Sequence, residues 1–229
     1  MRVLAILALC CTPALADDAS APAPRFTAGT RTADVTICVQ PLGTVEDRVS
    51  ASVARGVEQA YGMSTRVLPG HALPRAAYYA PRKRYRADRL LDHLAAEVVP
   101  DSGCAVVLGV TASDISVTKD EHADWGILGL AYLDSQVAVI STYRARRGVA
   151  RHRMLERTVK VATHELGHAF GLDHDDSVAG CMMNDAAGTV RTIDREPGPP
   201  CPHERAALEA RLGLTLPART TLDWALVIR

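Results

Sequence analysis

Between Val45 and Tyr61, apolar residues recur at 45, 49, 53, 57 and 60, a spacing that gathers them on one face of a helix. The same pattern returns over Ala87 to Val99 through Leu90, Leu91, Leu94 and Val98, and from about Ala150 through Leu155, Val159, Ala162 and Leu166. Short β-branched runs at Asp34 to Val39 and Thr65 to Leu68 read as strands, and the unbroken apolar run Cys104 to Val110 suits a strand buried on both faces. Strand, helix, strand, helix, strand in this order predicts parallel pairing with crossovers. Ile127 to Leu133 and Val137 to Ser141 flank Asp134-Ser135-Gln136, which predicts a hairpin adding one antiparallel strand. Glycines and prolines from Gly180 to Pro200 mark an irregular segment, and Pro202 opens a last helix through Leu208 and Leu212. The stretch from Pro69 to Arg86 and the tail after Leu216 carry no period. The expected class is α/β: a mixed, mostly parallel twisted sheet with an antiparallel edge strand, one long helix, and an irregular C-terminal part ending in a helix.

Charge changes this picture little. Twenty-six acidic and 26 basic residues cancel, so nothing points to nucleic acid or to an anionic membrane as partner. The basic clusters, Arg82-Lys83-Arg84 with Arg86 and the group Arg144, Arg146, Arg147, Arg151 and Arg153, lack interleaved aromatics and read as solvated faces. The N-terminus does change it. Met1-Arg2, the short apolar run Val3 to Leu9 and the small residues Ala14 and Ala16 form a secretory signal, with cleavage expected after Ala16 and a periplasmic or secreted product. Residues 17–32 read as a flexible leader and 33–229 as one catalytic domain, divided into subdomains 33–171 and 172–229. Four cysteines lie beyond the signal, Cys38, Cys104, Cys181 and Cys201. An even number in an exported chain favours disulfides, and three pairings are open.

The candidate chemistry is concentrated in His164-Glu165-Leu166-Gly167-His168-Ala169-Phe170-Gly171-Leu172-Asp173-His174. His164 and His168 lie one helical turn apart, so both imidazoles project from the same face and reach one ion, while Glu165 sits beside them. Gly171 lets the helix stop, and His174 returns as a third ligand. Three imidazoles leave a fourth tetrahedral position open, the mark of a catalytic zinc site. A match at all these positions arises by accident on the order of 10⁻⁵ of the time in a chain of this composition. The run therefore points to a zinc metallopeptidase with Glu165 as general base. His71, His93, His152 and His203 show no ligand spacing, and Asp173, Asp175 and Asp176 read as turn acids, one of them a potential acceptor for an imidazole. Tyr132, Tyr143 and His122 are candidates for stabilising an oxyanion only by their place in segments bordering the expected cleft.

At these residues the chain resembles the metzincins, and among them the archaemetzincins, whose pattern continues with Cys, then Cys-x-Met, then Cys-x-x-Cys after seventeen residues. Here Cys181-Met182-Met183 stands for Cys-x-Met, and seventeen residues separate it from Cys201-Pro202-His203-Glu204. Ala80-Pro81-Arg82 through Leu90-Leu91, Val107 to Thr111 and Ala138 to Ser141 also fall where that family carries similar segments, so the likeness spans most of residues 34 to 213. It implies a cleft above the zinc, an active-site helix beneath the sheet, and Met183 as the Met-turn residue under the histidines, with Met182 the alternative. It also implies a cleft rim at Ile127 to Leu133, where an extended peptide adds as a strand.

Two departures bear on cofactors. Asp175 and Glu204 stand where the family carries the first and last cysteines of a second, structural zinc. The resemblance then implies a Cys181–Cys201 disulfide in its place, the alternative being a zinc retained with Asp175, His203 or Glu204. Under the first reading Cys38 and Cys104 form the other disulfide or remain two separate buried thiols. The expectation is one catalytic zinc, no second structural zinc, a peptide or protein substrate, no nucleic acid, no membrane after signal removal, and a monomer. The rival readings are an inactive zinc-containing peptide-binding or scaffold protein, and a protease dedicated to one target.

Overall fold

A computed structural model of the chain describes residues 25–186 and 189–229, so the expected signal and the first part of the leader lie outside the described residues. Five strands form the main sheet: β1 (Thr36–Leu42), β2 (Ser64–Val67), β5 (Val106–Thr111), β8 (Gly129–Ala131) and β9 (Val137–Ser141), in the order β2-β1-β5-β9-β8. The first four are mutually parallel, and β8 pairs antiparallel with β9 at the edge. This is the mixed sheet that the pattern predicted. Central strand β5 is buried at every position, because helices cover both faces. Val106, Leu108 and Val110 share one core with α1 (Asp47–Tyr61) and α5 (Arg151–Ala169), whereas Val107 joins Cys38, Val139 and the leucines of α2 (Ala87–Glu97). Helices α1 and α5 approach closely at Gly56, where a β-carbon would run into Val159. A side chain there would push the long helix off the sheet.

A second sheet was not foreseen. Strands β3 (Tyr78–Tyr79), β4 (Arg84–Arg86), β6 (Ile115–Lys119) and β7 (His122–Ile127) pair in that order. Two arginines of the basic cluster are not solvated as expected, although Arg82 and Lys83 are exposed: Arg84 is half-buried, and Arg86 is 8% exposed and donates to Ala123 O at 2.7 Å and Thr118 Oγ1 at 2.8 Å. Asp114 joins Arg84 to Arg144. The expected strand Ile127 to Leu133 is also split. Ile127 ends β7, the buried Leu128 carries the chain from one sheet to the other, and only Gly129–Ala131 pairs with β9.

Both disulfides are present. Cys38–Cys104 joins the start of β1 to the turn before β5, with Cα atoms 5.9 Å apart, behind the short helix α3 (Val99–Ser102). Cys181–Cys201 spans 5.6 Å between the segment after α5 and the start of α7 (Pro202–Leu212). The short helices α4 (Thr142–Ala145) and α6 (Val190–Arg195) flank α5. The tail, which has no period, packs nonetheless: α8 (Trp224–Val227) lies against α1, and Arg55 donates to Val227 O at 2.8 Å. The described part of the leader is likewise fastened. Arg25 donates from its guanidinium to Ala169 O, Ala105 O and Ser135 O, and from its backbone to Arg211 O. Among the described residues no helix is long and apolar enough to cross a membrane.

Candidate active site

Helix α5 carries the histidine motif at its C-terminal end. Leu155, Val159, Ala162 and Leu166 are buried in the core, which fixes the rotation of the helix and turns His164 and His168 toward the cleft. The helix ends at Gly171, whose φ of +92° is one that side chains with a β-carbon disfavour. Leu172 N then bonds back to Gly167 O at 2.9 Å, and Gly171 N to His168 O at 2.8 Å. This reversal returns the chain to the helix end, and Asp173 accepts from His174 N at 2.8 Å to hold the returning residue.

The three imidazoles meet. Their ring centroids are 4.7 to 5.3 Å apart, and one ligand nitrogen from each lies within 4.8 Å of the others. His168 Nε2 and His174 Nε2 are separated by 3.2 Å, close to the roughly 3.3 Å between two nitrogens bound tetrahedrally to one zinc. His164 Nδ1 faces Met182 O at 2.6 Å and His168 Nδ1 faces Leu172 O at 2.7 Å. Only a protonated Nδ1 can bond a carbonyl, so both rings present an unprotonated Nε2. Burial, then the neighbouring imidazoles, push His164 down to about 3, keeping it neutral. Orientation thus comes from main-chain carbonyls, whereas Asp173, Asp175 and Asp176 build turns: Asp175 accepts from Ser177 N, and Asp176 from Asp185 N. The donor set, three imidazoles on one cleft wall, fits a zinc ion.

Glu165 lines the same cleft, of about 390 Å³, and is 7% exposed. Burial, with a contribution from nearby Glu196, raises its carboxyl to about 8. Gly129 of β8 faces it: a β-carbon at Gly129 would lie 2.5 Å from Glu165 Oε1 and 2.6 Å from its Cγ. Beneath the helix, Met182 and Met183 are fully buried, and a β-carbon on Gly167 would strike the Met183 sulfur. Of the two, Met183 is therefore nearer the histidine helix at this point, while Met182 receives a contact from Tyr61 Oη at 3.6 Å.

Glu204, expected as a lost zinc ligand, has another use. Its buried carboxylate accepts from Met183 N and Cys201 N at 2.7 Å each and from Met182 N at 3.3 Å, tying the methionine turn to the start of α7. Cys181, His203 and Glu204 do gather. Their groups are engaged, however: Cys181 in its disulfide, His203 with Asp175 at 3.3 Å, and Glu204 with three amides. The second-zinc pattern does not fit these residues.

None of the three oxyanion candidates lines the cleft. Tyr132 turns its hydroxyl to Asp92 Oδ1 at 3.1 Å, Tyr143 lies under Arg146 and Arg147, and His122 rests on Trp125. Sequence reasoning also missed Asn184, which holds the methionine turn through Gly180 N, Cys181 N, Asp175 O and Val178 O. It missed Glu196 as well, a buried acid in the cleft wall.

The chain matches peptidase family M54 over residues 45–207. It is 30% identical over 166 residues to the archaemetzincin of Halobacterium salinarum, covering 69% of this chain and 90% of that one. Identity to the Methanocaldococcus jannaschii archaemetzincin is 31% over 153 residues, covering 65% and 79%. Among solved structures, the archaemetzincin of Methanopyrus kandleri superposes with a TM-score of 0.68 at 28% identity, over 78% of this chain and 96% of that one. For Archaeoglobus fulgidus archaemetzincin the TM-score is 0.64 at 28% identity, over 76% and 99%. With its histidine-lined cleft on a mixed sheet, the chain belongs to the archaemetzincins, peptidase family M54, and is a zinc metallopeptidase.

Proposed function

We propose that the protein is an exported peptidase that holds one zinc through His164, His168 and His174 and hydrolyses peptide bonds with Glu165 as general base. The convergence of the three imidazoles, with Glu165 beside them in one cleft, carries this reading. When bound, zinc supplies Lewis acidity, polarising the scissile carbonyl and acidifying a water. Glu165 takes the proton as the water oxygen attacks the carbonyl carbon, and returns it to the amine nitrogen as the carbon–nitrogen bond breaks. Its buried position shields this transfer from bulk solvent. The substrate lies extended along edge strand β8, which offers main-chain groups for antiparallel pairing. Met183 forms the apolar floor under the histidines.

Two disulfides support export to the periplasm or medium, since such bonds persist in oxidising compartments, and the expected signal supplies the route. A single zinc per chain is supported by the engagement of Cys181, His203 and Glu204 elsewhere. The chain acts as a monomer. Chelation tests the reading: zinc removal is expected to abolish peptide cleavage, and one equivalent of zinc to restore it. Full activity in the chelated, metal-free protein would refute it.

A further inference from the structure

One acid in the cleft has no task in the hydrolysis. Glu196, just beyond α6, is 3% exposed, lines the cleft, and neither carboxylate oxygen has a hydrogen-bond partner among the described residues. Such a group is costly to bury and points to a missing partner. Nearby Lys160 does not fill the role: its ammonium donates to Ile193 O at 3.2 Å and Asp194 O at 3.5 Å, and it makes no ion pair with Glu196 among the described residues. Burial, partly offset by Lys160, raises the Glu196 carboxyl to about 8.

The surroundings define the partner. Val161, Ile193 and Leu128 are buried apolar residues of the same cleft, suited to an aliphatic stem. Chemistry favours a cation, because a buried acid is best partnered by a charge-assisted donor, and Lys119 is the single lysine or arginine among the residues lining the cleft. Lys119, Asp173 and Asp185 are exposed, whereas Glu196 is buried, so the acid lies at the deep end. Val161 precedes Glu165 by four residues on α5, about 6 Å along the helix axis. That is a depth the three- or four-carbon stem of arginine or lysine can span from the imidazoles.

We propose that Glu196 is a specificity residue that selects a substrate with arginine or lysine beside the scissile bond. The inference rests on the peptidase reading above. The stem lies along Val161 and Ile193, and the cation pairs with the Glu196 carboxylate out of contact with water, where a charged hydrogen bond is strong. A neutral side chain of equal length gains the apolar contact but leaves the acid unpartnered.

The test compares zinc-loaded protein on peptides that differ only at the residues flanking the scissile bond, with arginine, lysine, glutamine or norleucine at one of them. The expected kcat/KM favours the basic peptides at least tenfold in the parent, and Glu196→Gln reduces the ratio to within threefold. No basic preference in the parent, equal turnover of glutamine and lysine peptides, or a preference that survives in Glu196→Gln would overturn the proposal. Should that variant not fold, the parent is titrated with n-butylguanidinium and with neutral n-pentylurea, followed by the fluorescence of Trp125, which lines the cleft. Saturable binding of the guanidinium alone supports the proposal, and equal or absent binding of both overturns it. Guanidinium binding with no peptide cleaved would contradict the peptidase reading while leaving the cleft's cation preference standing.

Discussion

Replacing Gly129 by alanine adds a single methyl group to the edge strand, and that methyl meets the proposed general base. The new carbon would lie 2.5 Å from Glu165 Oε1, 2.6 Å from Cγ and 2.8 Å from Cδ. Ordinary contacts between such atoms lie near 3.5 to 4.0 Å, so the overlap is about 1 Å. Gly129 is paired to Ile140 in the ladder and cannot easily retreat, so Glu165 has to move. A displacement of about 1 Å at a reacting group costs on the order of 10²-fold in rate. The three atoms nearest the new methyl all belong to Glu165 rather than to an imidazole, so zinc is expected to remain bound. The assay is kcat/KM on a fluorogenic peptide, with metal content and melting temperature measured on the same preparation. A Gly129→Ala protein that cleaves within threefold of the parent would refute the placement of Glu165 as the base pressed against the edge strand.

Other expectations concern stability. Glu204→Ala leaves two buried amides of the methionine turn and a half-buried one at the start of α7 without their acceptor, and should destabilise the fold by on the order of 3 kcal/mol by denaturant titration; an unchanged midpoint would contradict the role given to Glu204. Reduction of Cys181–Cys201, which closes a loop of sequence separation 20, should cost roughly 3 kcal/mol in the chain-entropy model while the histidine site keeps its metal. Both cysteines alkylated in the unfolded, unreduced protein, with two zincs per chain, would restore the two-zinc pattern instead. Hydrogen bonds from the Arg157 guanidinium hold the Asp194 carboxyl below its ordinary range. Its contribution to stability is present above the ordinary value near about 4 and is lost as pH falls through the lowered folded-state value. Asp194→Asn should therefore flatten the acid limb of the stability curve, and an identical limb would show that the pair does not supply it.

The parts legible in the sequence are those with a strong local period or a fixed spacing. Helices α1, α2 and α5 were readable because their apolar residues recur every three to four positions, and the parallel order followed from their alternation with strands. The histidine site was readable because helix geometry alone places residues 164 and 168 together. The second sheet was not, since strands of two and three residues such as Tyr78–Tyr79 and Arg84–Arg86 have no period to detect. Their arginines read as surface because charge suggests solvent, while the partners Asp114 and Ala123 O are distant in sequence. Glu196 was missed, and Glu204 was weighed only as a zinc ligand in place of a cysteine, for a related reason. Only the tertiary fold brings the first into the cleft and the second under the methionine turn. Tyr132, Tyr143 and His122 show the opposite error, where closeness in sequence to the rim did not determine side-chain direction.

The central claim, that Glu165 moves the proton while the three histidines hold the metal, is tested most directly by Glu165→Gln, which keeps the shape of the side chain and removes its basicity. Zinc content and peptide turnover are measured together, with His168→Ala alongside. The account predicts one zinc per chain and a loss of at least about 10²-fold in kcat for Glu165→Gln, and loss of zinc and activity together for His168→Ala. Turnover at the parent rate by a zinc-loaded Glu165→Gln protein would contradict it.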